Sequence, residues 1–154
     1  MPYLGGAIYG LLAMGALFAS ESASSETYGE TVAAVAMAVV LIWLAHGYAE
    51  FASSRLRSSK RVTGSDFART MAREVWILVG ASVPLIAVLI SWASGASLTT
   101  GVIAGLWTVA ATIVSLEVIS GRRAKLTGRQ LVLQAAIGAG LGVLVLAMRV
   151  ILHH

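Results

Sequence analysis

Cysteine and asparagine are both missing from this chain. Without thiols there is no disulfide, no thiolate metal ligand and no haem attachment motif, and without asparagine there is no glycosylation sequon. Charge is scarce too. Only 12% of the 154 residues are Asp, Glu, Lys or Arg, against about 25% in ordinary soluble domains. Hydrophobic residues supply 58% of the chain, which points to an all-α integral membrane protein.

A helix needs about 20 mostly apolar residues to cross a bilayer. Five stretches qualify, at about 3–19, 31–52, 75–94, 98–120 and 130–152. The whole chain, 1–154, therefore reads as a single transmembrane bundle without room for a soluble domain. The first stretch opens apolar, with no basic leader, and reads as a retained span rather than a cleaved signal.

Ten of the eleven Lys and Arg residues lie in two connections, 53–73 and 121–129. An excess of Lys and Arg marks cytoplasmic loops, so both connections are expected inside, which puts the N-terminus in the cytoplasm and the C-terminus outside. The formal charge of +4 does not imply nucleic acid, because the cations sit between apolar spans and lack aromatic stacking partners. Arg55, Arg57, Lys60, Arg61, Arg122 and Arg123 are instead candidates to meet anionic lipid or a partner protein. Within the first basic loop, "SDFARTMAREVW" offers Ser65 as the N-cap of an interfacial helix leading into the third span. A plain extension of that span fits the same residues.

Small residues recur four apart, at Gly6 and Gly10, Gly101 and Gly105, and Gly138 and Gly142. Such pairs let helix backbones approach closely in lipid, within a subunit or between two. The run Gly138-x-Gly140-x-Gly142 lies inside an apolar span, so it is not a nucleotide fingerprint.

The informative groups are ionisable ones near the spans. His46 and Glu50 stand one helical turn apart in "LAHGYAEF", Glu74 opens the third span and Glu117 closes the fourth. All four fall toward the cytoplasmic end, where an uncompensated charge in hydrocarbon costs at least about 2.5 kcal/mol. Imidazole with carboxylates suits Mn, Fe(II) or Zn, so these four are the candidate metal ligands. The same groups suit a proton relay, or simple ion pairing with Arg55, Arg57, Arg73, Arg122 or Arg123. Met37, farther out on the second span, is expected to pack rather than ligate. On the outer side Arg149 is expected to pair with Glu21, Glu26 or Glu30. His153 and His154 carry no expected site.

The segments "GRRAKLTGRQ" and "LVLQAAIGAGLGVLVLAMRVIL" resemble the last loop and fifth helix of the vacuolar iron transporter (CCC1-like) family. "AHGYAEFASSR" resembles the end of that family's second helix, and Pro84 falls where its third helix often has a proline. The resemblance implies a homodimer that moves Fe(II) or Mn(II) out of the cytoplasm in exchange for protons, the ion being cargo and not a resident cofactor. The chain departs from the family's pattern at several points. "IYGLLAMGALF" lacks the family's acidic Asp-Gly pair, Tyr48 stands where the family has Glu, and the basic loop replaces a Glu-rich one.

Three functions remain open: a divalent-metal transporter, a non-transporting scaffold or accessory subunit acting through its basic loops, and a proton-conducting bundle. No metal-hydrolase motif or serine elbow is present, and no enzyme is expected. The expected location is a bacterial plasma membrane.

Overall fold

A computed structural model describes residues 2–20, 27–57, 63–124 and 126–152. Among the described residues there are six α-helices: α1 (Pro2–Ser20), α2 (Tyr28–Arg57), α3 (Gly64–Glu74), α4 (Trp76–Ala93), α5 (Leu98–Arg123) and α6 (Gly128–Leu152). Among the described residues there is no strand. Four helical stretches are long and apolar enough to cross a membrane, and Leu4–Ser20 forms a shorter apolar helix. The protein is an all-α integral membrane protein.

Local chemistry sets where the helices begin. The Thr63 N–H and hydroxyl both donate to the Asp66 carboxylate, at 2.9 and 2.7 Å. Thr27 repeats this with Glu30, and Thr127 with the Gln130 side-chain oxygen. Each acceptor reaches back over the first turn and holds the entering chain. The N-cap of α3 is thus Thr63 and not Ser65, whose hydroxyl hydrogen-bonds Thr63 instead. Three residues after Ser65 stands Ala68, which has no side-chain acceptor, whereas Thr63 has Asp66 at that spacing, which the box requires.

α1, α4, α5 and α6 make the bundle, and α2 lies along its edge against α3 and α4. The core joins Met14 and Phe18 of α1, Val35 and Val39 of α2, Ala81 and Val88 of α4, Val102 and Leu106 of α5, and Val145 of α6. α1 and α4 run parallel and in backbone contact. A Cβ on Gly10 would overlap the Ile77 carbonyl, and one on Gly80 would overlap that of Ala7. All three glycine pairs pack within the subunit: Gly6 and Gly10 on α4, Gly101 on Tyr28, Gly105 on Phe18 and Val88, Gly138 on Glu117, and Gly142 on Ala110.

At the outer end Tyr28 stacks on Trp92 with centroids 5.6 Å apart. Its hydroxyl lies within hydrogen-bond distance of the Ala96 and Ser97 carbonyls, which ties the start of α2 to the α4–α5 turn. Arg149 donates to the Phe18 carbonyl at 3.2 Å and closes the end of α1. Glu30 is drawn into its own first turn, while Glu21, Glu26, His153 and His154 lie outside the described residues.

At the opposite end α2 and α3 fold back as a helical hairpin. Phe67 meets Phe51 edge-on at 5.2 Å, and the Trp43 indole donates to the Met71 carbonyl at 3.2 Å. With 30 residues, α2 is about 45 Å long, well beyond the ~30 Å hydrocarbon core. The hairpin lies at the basic end of α2, where α3 meets α4 at Val75.

Candidate functional site

The polar site lies at the foot of that hairpin, where three elements converge. His46 is exposed on α2, and the following Gly47, which is buried, lets α3 approach. A Cβ on Gly47 would collide with the Met71 thioether methyl. This contact, with the Trp43 hydrogen bond to Met71, fixes α3 so that its last residue, Glu74, reaches back to α2. The result is His46 Nε2 at 3.5 Å from Glu74 Oε2, with the two side chains 45% and 21% exposed. The Tyr9 ring of α1 flanks the imidazole at a centroid distance of 5.1 Å and a tilt of 32°.

Partial exposure decides how this pair is to be read. Exposed ion pairs contribute only about 0–1 kcal/mol, so His46 and Glu74 add little to holding the hairpin. Aromatic and glycine contacts around Met71 and Phe67 do that instead. The pair is a partly exposed imidazole–carboxylate couple on a preformed support.

The other expected ligands are placed differently. Glu50 is exposed one turn beyond His46 on α2. Glu117 faces α6, where the Gln134 amide donates to its carboxylate at 2.5 Å and Gly138 leaves room for its Cβ and Cγ. The structure thus brings together His46 and Glu74 and joins Glu117 to Gln134. Among the described residues no group of three or more His, Asp or Glu side chains gathers. Arg55, Arg122 and Arg123 are exposed at the same end. Lys60, Arg61 and the Arg57 side chain lie outside the described residues. Met37, 68% exposed, stands on the outer face of α2 and is not in the packed core.

Comparison with known proteins adds no relative: no family model, no curated protein and no solved structure matches the chain.

Tyr9, Gln134 and Trp43 are site residues that reading the sequence did not single out. Gln134 carried a usable signal, because a lone amide inside an apolar span needs a partner. Tyr9 carried none, since its neighbour depends on how α1 is rotated against α2.

Proposed function

We propose that the protein is a small transporter-like bundle, not an enzyme, which takes a divalent cation such as Mn(II) or Fe(II) from the cytoplasm of a bacterial cell and exchanges it for protons. The observation that carries this reading is the His46–Glu74 couple, half open at the basic end and held by two helices and a helix junction. An imidazole and a carboxylate are the donors such ions prefer. They also couple the ion to protons, because a metal needs the imidazole lone pair that a proton would occupy. Glu50, one turn on, is the nearest further carboxylate along α2, and the resemblance to the vacuolar iron transporter family supplies the substrate class.

Proteoliposomes containing the full chain test this. Mn(II) or Fe(II) uptake should be present in the wild type, should slow as the pH on the entry side falls, and should be lost in Glu74→Gln and His46→Gln. Absence of flux in a wild-type protein with intact helical circular dichroism would exclude transport.

One observation favours a second reading, a scaffold. Thr31 is the only buried polar residue among those described, so the subunit interior presents an apolar core rather than a polar route. Under that reading His46→Gln and Glu74→Gln leave flux absent and alter only assembly with a partner.

A further inference from the structure

The α1-facing side of α5 runs through Val109, Ile113, Leu116, Ser120 and Arg123, alternating by four and three residues as one helical stripe must. Its first three members pack on Leu11 and Leu12 as a dry seam. At the basic end the stripe changes character while its direction continues. Ser120 and Arg123, with Leu4 of α1 and Ala124, line a crevice of about 300 Å³. An apolar helix seam thus opens at the membrane boundary into a space with a hydroxyl and a guanidinium on one wall and a leucine on the other.

We infer that this crevice binds the phosphate headgroup of an anionic phospholipid. A guanidinium matches a phosphate with paired, charge-assisted hydrogen bonds, and Ser120 supplies a further donor. Leu4 and the apolar seam above give the adjoining acyl chain a surface that a free anion would not use. Arg122 beside the crevice and Arg129 at the start of α6 add positive potential at the same level. Ser120 and Arg123 both belong to α5, so the phosphate is held by side chains of that one helix. The site is separate from the His46–Glu74 couple and does not depend on transport.

The test uses the full chain in a neutral detergent, with thermal unfolding and native mass spectrometry on addition of phosphatidylglycerol, phosphatidylcholine or inorganic phosphate. Phosphatidylglycerol should stabilise the wild type selectively. Arg123→Gln should weaken that response about tenfold, the loss of one charge-assisted interaction, and Ser120→Ala should weaken it less. Arg69→Gln, the same charge change on exposed α3, should leave it intact. Equal responses from Arg123→Gln and Arg69→Gln would reduce the effect to diffuse charge and overturn the site. So would a wild type that does not distinguish the two lipids, and a response reproduced by inorganic phosphate alone would replace the lipid with a free anion.

Discussion

At the level of single residues, the chain treats its intramembrane carboxylates in two ways. Glu74 meets a half-exposed imidazole, while Glu117 meets the neutral amide of Gln134 between α5 and α6. An amide donor needs no counter-charge, so the second pair reads as a helix lock. Interhelical hydrogen bonds in membranes average about 0.6 kcal/mol and reach ~1.7. Gln134→Leu should therefore destabilise the bundle by about that much in detergent unfolding, while uptake at the His46–Glu74 couple persists. A loss of flux with unchanged stability would instead assign Glu117 to the cation path.

At the level of elements, two devices have opposite sensitivities. The α3 cap is electrostatic: the Thr63 backbone N–H, followed by its hydroxyl, holds the Asp66 carboxyl below its ordinary value of 3.8. A carboxyl depressed in the folded state contributes stability above its unfolded pKa and loses it as pH falls through the folded one. Amide protection at the start of α3, taken relative to the intrinsic exchange rate at each pH, should then hold from neutral pH down to the ordinary Asp range and fall only below it. Fast exchange at neutral pH would show that the cap does not form. The α1–α4 crossing is steric. Gly80→Val must push against the Ala7 backbone, and Gly10→Val against that of Ile77. Overpacking of this kind costs roughly 1–3 kcal/mol, whereas Gly140→Ala, with nothing within 4 Å, should be neutral or slightly stabilising. Reversible unfolding in mixed micelles separates these outcomes.

At the level of the whole molecule, polar chemistry is confined to the two ends and the middle is packed apolar surface. The outer end is tied by Tyr28, Trp92 and Arg149, and the basic end carries the hairpin, the His46–Glu74 couple and the Arg123 crevice. Along the edge, α2 leaves an apolar gap of about 170 Å³ against Met14, Leu78, Ala81 and Leu85. Helices in lipid gain little from hiding apolar surface and associate through close packing. That explains why the glycine-lined α1–α4 contact is tight while α2, which meets the core through Val35 and Val39, sits loosely and relies on its hairpin with α3.

Several of these features belong to the sequence itself. Apolar run length located the long apolar helices, because 18 or more apolar residues in a row favour one continuous helix. The end-to-end distribution of Lys and Arg separated the two faces. The boxes Thr27-x-x-Glu30, Thr63-x-x-Asp66 and Thr127-x-x-Gln130 are equally local, and the three-residue spacing to an acceptor distinguishes Thr63 from Ser65, which has Ala68 at that distance. Tertiary structure decided what local spacing does not encode: that Glu74 and not Glu117 turns to His46, that Tyr9 flanks the ring, and that the glycine pairs pack within one subunit. A helical repeat specifies which residues share a face. Which neighbour that face meets depends on helix order and rotation, and those are set by backbone contacts such as Gly10 on Ile77 and Gly47 on Met71.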